Sequence, residues 1–393
     1  MNKEQKMSNG VDKITLKQSK LASGRAKIIL WVVIILIIIA GIWYGVSRKL
    51  VTTEKEPIKI GVILPLTGKA AQYGEEMKRG IELAIENKKD ISIEVLYEDS
   101  KFDTKEGVSA YHRLRVENVS IMITAVSTIA LAISPLTNEN QVLQMAIAAS
   151  TPEYTSSNDF TFRVTTRTEV EDKELAKWVI NKGYKEIALM YANNDWGLGH
   201  YNSIKPEIEK LEGKVVGEEN YLIEETDFRT QLTKIKAKNP EAIFLLSDGK
   251  TAGIVLKQAK ELGVEAQFFG IRSLQSEDLL SIAQEAAEGL VYTYPFDPLS
   301  DTPKIKEFVE KYQTKYESLP TSYVAEGYDA MGLILKSLKK CGEANTLCMR
   351  DDLLITKDHL GILGSLTFDE NGDVYYPYFI KTIKDGQFVP LEN

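Results

Sequence analysis

The chain has 393 residues, 44% of them hydrophobic and 26% charged, which is enough to bury a sizeable core and too long for one average domain, so intrinsic disorder and small disulfide scaffolds are excluded. Its charge is uneven: the first 49 residues hold nine Lys/Arg against Glu4 and Asp12, leaving 39 basic and 54 acidic residues for the body. That acidic body repels a phosphate backbone, which excludes nucleic acid as a partner, and two cysteines are too few for a multi-cysteine zinc site.

Ile28 to Val46 is a run of nineteen residues without a charge. As a helix it would span roughly 28 Å of the ~30 Å hydrocarbon layer. This predicts a transmembrane anchor over 28–46 behind a basic cytoplasmic tail, 1–27. Lys3, Lys6, Lys13, Lys17, Lys20, Arg25 and Lys27 precede the run, whereas Arg48, Lys49 and Lys55 beyond it are offset by Glu54 and Glu56. The positive-inside bias therefore puts the long remainder on the periplasmic or extracellular side of the cell membrane. Trp31, Trp43 and Tyr44 stand near the two ends, where amphipathic rings suit the headgroup zone. A signal peptide cut after Gly45-Val46-Ser47 is the competing reading, but the run exceeds the ~7 to 15 residue core of such peptides.

After the charged linker Thr52 to Pro57, short β-branched runs alternate with amphipathic stretches, the pattern of parallel strands joined by helices. Strands are predicted at Ile58 to Leu64, Ile91 to Tyr97, Ile121 to Ala125 and Leu143 to Ala149. Helices are predicted at Gly74 to Asn87, Thr104 to Glu117 and Ala130 to Asn140, completing one open α/β sheet. A second series starts near Thr165, with a helix from Val170 to Asn181 and strands at Glu186 to Tyr191, Lys214 to Tyr221, Ala242 to Leu246, Gln267 to Gly270 and Gly289 to Tyr294. Asn371-Gly372 before Val374 to Ile380 reads as a tight turn joining two strands. A calcium loop at Asp369, Asn371 and Asp373 lacks the glutamate required at its twelfth position, which is Ile380.

Nothing in the sequence supports an enzyme. There is no phosphate-binding Gly-rich loop with Lys-Ser/Thr, no G-x-S-x-G elbow and no H-E-x-x-H. His112, His200 and His359 are scattered and read as surface residues, and most carboxylates read as solvated helix faces with Lys nearby. No cofactor and no metal site is expected. Cys341 and Cys348, on the oxidising side of a membrane, are expected to form a structural disulfide closing a short loop; two free thiols are the alternative.

In open α/β sheets a ligand settles beyond the carboxyl ends of the strands, where loops and helix N-termini offer unpaired N–H groups. The loops to inspect are Thr67 to Tyr73, Val126 to Thr128, Ala148 to Thr151, Ala192 to Trp196, Ser247 to Lys250 and Ile271 to Ser273. Their small hydroxyls, aromatics and few charges suit a small polar molecule.

In order and spacing, several segments resemble the type I periplasmic solute-binding proteins of branched-chain amino acid ABC transporters, the leucine/isoleucine/valine-binding group. They are Ile58-Lys59-Ile60-Gly61-Val62 running to Leu66-Thr67-Gly68 and Gln72-Tyr73-Gly74, then Glu98-Asp99, Ser127-Thr128, Trp196-Gly197, Asp227-Phe228, Glu326-Gly327-Tyr328-Asp329-Ala330 and Gly364 to Asp373. The resemblance covers about residues 57 to 390. It implies an α/β fold of two doubly wound parallel-sheet lobes joined by three crossovers, near Thr165 to Arg167, Tyr294 to Phe296 and Asp373 to Tyr375. Lobe one is then 57–166 plus 296–373, and lobe two 167–295 plus 374–393. Function in this class is closure around a ligand, without chemistry.

The resemblance also implies a carboxylate clamp at Ser127, with Thr128 beside it, and at the backbone and hydroxyls around Ala148, Ala149 and Ser150. It implies aromatic walls at Tyr73, Trp196 and Tyr323. One position departs: where the family has an acidic residue for the ligand's ammonium, this chain has Arg272, so Asp248 or Asp195 is left to supply the negative charge. Arg272 either meets the ligand or pairs with Asp248. An amino acid, a carboxylate lacking the amine and an amide-type solute all remain open. The implied partners are a small-molecule ligand, an ABC transporter permease and, through the N-terminal helix, the membrane. A sensor ectodomain signalling through a separate membrane protein is the second reading; a hydrolase, with Ser127 lacking a histidine, is the third.

Overall fold

The computed structural model of the protein describes residues 27–44, 56–86 and 91–391. The basic tail up to residue 26, the Gly45-Val46-Ser47 cut and the linker from Thr52 to Lys55 lie outside them. The chain divides after Glu56. In the first unit, helix α1 (Lys27–Tyr44) is 18 residues long and exposed along its whole length. It is long and apolar enough to cross a membrane, a property that membrane anchors share with signal sequences.

The second unit begins with β1 (Ile58–Leu64), α2 (Ala71–Ile85), β2 (Ile93–Asp99), α3 (Thr104–Val116), β3 (Ile121–Ala125), α4 (Ser127–Glu139), β4 (Leu143–Ile147) and β5 (Thr161–Arg163). These strands form an all-parallel sheet in the order β2-β1-β3-β4-β5. Next come α5 (Thr168–Asn181), β6 (Glu186–Ala192), α6 (Asp195–Lys210), β7 (Lys214–Tyr221), α7 (Arg229–Lys236), β8 (Ala242–Leu246), α8 (Gly249–Glu261), β9 (Gln267–Gly270), α9 (Glu277–Ala283) and β10 (Val291–Tyr294). The chain ends with α10 (Pro303–Tyr316), α11 (Ser322–Cys341), α12 (Thr346–Leu354), the short ribbon β11 (His359–Leu360) and β12 (Ser365–Leu366), then β13 (Phe379–Lys384) and β14 (Gln387–Pro390). The second sheet is ordered β14-β13-β10-β9-β8-β6-β7. Its parallel strands β6 to β10 carry an antiparallel edge, β13 and β14, that sequence reading did not anticipate.

Every residue of β3, β4 and β8 is buried, as expected for parallel strands covered by helices on both faces, which is why they read as unbroken apolar runs. Two boundaries differ from expectation. The strand predicted to reach Ala149 stops at Ile147, because Ala148 turns to φ 52°. The strand predicted at Val374 to Ile380 is reduced to one bridge, Phe368 to Val374, across a turn in which Gly372 takes φ 84°. Pro377 has no N–H to offer a ladder, and the strand resumes at Phe379 in the second sheet. The Asp369 carboxylate is occupied by that turn, accepting from the N–H groups of Asn371 and Asp373.

Helices α2 and α11 pack backbone to backbone. A Cβ on Gly80 would lie 2.0 Å from the Val324 carbonyl oxygen, and one on Gly327 2.3 Å from that of Met77, so only glycine fits at either position. This contact sets Tyr73 and Tyr323 with ring centroids 5.0 Å apart. The Cys341–Cys348 disulfide forms, with a Cα–Cα distance of 6.0 Å, and ties the end of α11 to α12.

Candidate ligand-binding site

Beyond the carboxyl ends of both sheets lies one cavity of about 190 Å³. Cavities of about 150 Å³ hold a single benzene-sized molecule, so this one suits one small solute. The structure brings nine of the ten sequence-predicted residues to its lining: Tyr73, Ser127, Thr128, Ala148, Ser150, Trp196, Asp248, Arg272 and Tyr323. Ala149 is not among them. It packs beside Ala130 and Tyr154, and its carbonyl is taken by the Arg163 guanidinium at 2.9 Å. Asp195, the alternative ammonium partner, is exposed and outside the lining.

The first-sheet wall is built from the ends of β3 and β4. Val126 turns the chain at φ 65° and ψ 144°, a conformation that strains a β-branched residue, so that α4 starts at Ser127 and points its first turn at the cavity. The Ser127 hydroxyl oxygen accepts from the N–H groups of Ser150 (3.2 Å) and Thr151 (3.3 Å), leaving its proton free to donate. Neutral hydroxyls and the first N–H groups of a helix together make a site for an anion that carries no formal charge of its own.

The second-sheet wall carries charge. Asn194 caps α6, placing Trp196 in its first turn, and Trp196 stands edge-on to His200 at 5.2 Å. His200 was expected at the surface; it is buried, lines the cavity and contacts Asp172 through Nδ1 at 2.7 Å. Burial pulls the His200 imidazole down, and the Asp172 carboxylate outweighs it, leaving the ring above its ordinary value. Glu171 also lines the cavity and is buried, which pushes its carboxyl up against the opposing pull of His200.

Arg272 does not pair with Asp248. Asp248 is the N-cap of α8, accepting from the Thr251 N–H at 3.0 Å. Arg272 instead makes a two-nitrogen contact with Glu326 of α11, a buried ion pair that crosses from one wall to the other. Burial pulls the guanidinium down, but Glu326 more than compensates and holds it well above its usual value. Glu326 also accepts from the Ala148 N–H (2.9 Å) and the Tyr376 hydroxyl (3.2 Å), and the guanidinium lies 4.9 Å from the Tyr323 ring centroid. Two further bridges close the walls. The Tyr73 hydroxyl accepts from the Gly249 N–H at 3.2 Å and donates to the Ser273 carbonyl at 3.4 Å, and Lys69 reaches the Glu224 carboxylate.

Glu171, Asp172, His200 and Glu326 were missed because isolated charges in helices read as solvated faces. The available signal was periodicity. Asp172 continues into Leu175, Ala176 and Val179, His200 into Ile204 and Ile208, and Glu326 into Ala330 and Leu333, each placing a charge on an apolar stripe.

A family profile described as periplasmic binding protein matches residues 57–387. Among curated proteins, the chain is 26% identical over 347 residues to Leu/Ile/Val-binding protein homolog 3 of Brucella melitensis, covering 85% of this chain and 94% of that one. It is 26% identical over 329 residues to the leucine-, isoleucine-, valine-, threonine- and alanine-binding protein of Pseudomonas aeruginosa, covering 81% and 87%. Among solved structures, a leucine-binding protein of Thermotoga maritima superposes with a TM-score of 0.80 at 26% identity, covering 85% of this chain and 98% of that one. A branched-chain amino acid transporter substrate-binding protein of Streptococcus pneumoniae, in complex with isoleucine, gives 0.79 at 26%, with the same coverage.

Proposed function

The chain belongs to the periplasmic binding protein family, whose members are solute-binding proteins and not enzymes, and from that premise we propose that it is a membrane-anchored extracytoplasmic receptor. In this reading it closes around a small amino acid or related carboxylate and delivers it to an ABC transporter permease. The observation that carries the reading is the cavity between two walls that Tyr73, Lys69 and the Arg272–Glu326 pair bridge. Walls bridged by a few side chains can part and close again, which suits capture and hand-over.

The two sheets then frame two hinged lobes, 57–166 plus 296–373 and 167–295 plus 374–393. The ligand's carboxylate lies against Ser127, Thr128 and Ser150, and its side chain lies among Tyr73, Trp196 and Tyr323. The names of the relatives, binders of leucine, isoleucine and valine, support an aliphatic amino acid. Helix α1 serves as the tether, and tethering raises the receptor's effective concentration at its permease.

The test is native mass spectrometry of the full chain in detergent, before and after adding L-leucine, L-isoleucine or 4-methylpentanoate, with denaturing release to identify retained molecules. One bound solute of this class per chain is expected. A protein that neither retains nor takes up any of them contradicts the reading.

A further inference from the structure

Among the buried charges of the second-sheet wall, one lacks an ion-pair partner. Glu326 neutralises Arg272, and Asp172 sits on His200, so both buried cations of the second-sheet wall are already paired. Glu171 remains. It is 2% exposed, lines the cavity and has no ion-pair partner among the described residues. Its hydrogen-bond donors are both neutral: the Arg272 N–H at 2.9 Å and the Thr293 hydroxyl at 2.5 Å, each to Oε1. His200 and Arg272 act on it without forming an ion pair, so the buried carboxyl either keeps a proton or is met by a cation that enters the cavity. The same cavity holds a second unmet group, the Thr165 hydroxyl, buried and without a partner. Asp248, by contrast, is half-exposed and engaged in capping α8.

We propose that Glu171 is the residue that receives a cationic nitrogen of the ligand, taking the part left vacant by Arg272, so that the receptor selects amine-bearing solutes over plain carboxylates. The inference rests on the reading of this cavity as the solute site and narrows the class of solute. The hydroxyls and N–H groups at Ser127, Thr128 and Ser150 receive the anionic end and Glu171 the cationic end, which together read a zwitterion.

The experiment is calorimetric titration of the full chain in detergent with three probes: L-leucine, its amine without the carboxylate (3-methylbutylamine) and its acid without the amine (4-methylpentanoate). Each is titrated into the wild type and into Glu171→Gln, which keeps size and the acceptor for the Arg272 N–H while removing the charge. A charge-assisted hydrogen bond contributes enough for a change of about 10-fold to 100-fold. The expected result is that leucine binds the wild type at least about 10-fold more tightly than 4-methylpentanoate, and that Glu171→Gln erases this margin by weakening leucine alone. Binding of the amine that depends on Glu171, with leucine rejected, would uphold Glu171 and overturn the amino-acid reading. Equal affinity of wild type and variant for leucine, a wild type that takes the acid as tightly as leucine, or no response to either amine-bearing probe would each overturn the assignment. The wild-type comparison stands even if the variant does not fold.

Discussion

On the first-sheet wall of the cavity, Ser127, Thr128, Ala148 and Ser150 offer hydroxyls and backbone N–H groups on two strained loop residues, with no formal charge. On the second-sheet wall, Glu171, His200 with Asp172, Asp248 and Arg272 bring charges, most of them buried. The first wall fixes its geometry through backbone conformation; the second depends on each charge finding a partner. Neutral donors tolerate an empty cavity because water replaces a ligand at little cost, whereas a buried ionisable group must be paired or give up its charge. That difference explains why Glu326 reaches across from α11: the second wall's guanidinium borrows its counter-ion from the first-sheet side.

The largest expected effect breaks that loan. Glu326→Ala leaves Arg272 buried and alone and should cost about 3–5 kcal/mol in a denaturant titration, as removal of one partner of a buried pair does. The double variant Arg272→Met/Glu326→Leu should recover most of it. If the single and double variants lose the same stability, the pair is not what holds the second wall. Next in size, Trp196→Ala removes an aromatic wall and should weaken leucine binding by about 2 kcal/mol in calorimetry, the scale of a buried aromatic anchor. Ser127→Ala tests the neutral wall. It strips an acceptor from the Ser150 and Thr151 N–H groups and a donor from the ligand, with an expected loss of about 1–2 kcal/mol in affinity.

The smallest effect concerns His200. Its folded-state pKa lies above the unfolded value, so its contribution to stability is fully present below the unfolded value and is lost as pH rises through the folded one. Burial also pushes Asp172 up, which works the other way, but the 2.7 Å contact favours the charged pair and sets the sign. The stability difference between wild type and His200→Gln should therefore be greatest below about pH 6.5 and should shrink by about 1 kcal/mol towards alkaline pH. A difference flat from pH 5 to pH 9 would show that the ring is held neutral.

The same contrast decides what could be read from the chain. The first wall is legible because it consists of loops at strand ends, and turn residues after an apolar run announce themselves, as Val126 to Thr128 and Ala148 to Thr151 do. Ala149 was the exception, since only the fold reveals that Arg163 occupies its carbonyl. The second wall was half legible. Trp196, Asp248 and Arg272 also follow strands, but Glu171 and His200 sit one or more turns inside helices, where a charge looks like ordinary surface. Arg272 lines the cavity, but of its two expected roles the pair with Asp248 does not form: its counter-ion Glu326 lies 54 residues away and no local pattern links them. The antiparallel edge of the second sheet was hidden for a related reason: its pairing to β10 is long-range, and Pro377 masks where the strand begins.

The glycine contact between α2 and α11 bears on how such a receptor can be re-engineered. With Gly80 and Gly327 each pressed against the opposing backbone, the two helices behave as one plate, and Tyr73 and Tyr323 ride on it at a fixed spacing. Neither glycine can drift by mutation without prising the plate apart, so that half of the recognition surface is closed to gradual change. Adaptation to a new solute, or conversion of the protein into an optical biosensor, has to proceed through the opposite wall, where charged side chains can be exchanged together with their partners on an unaltered backbone.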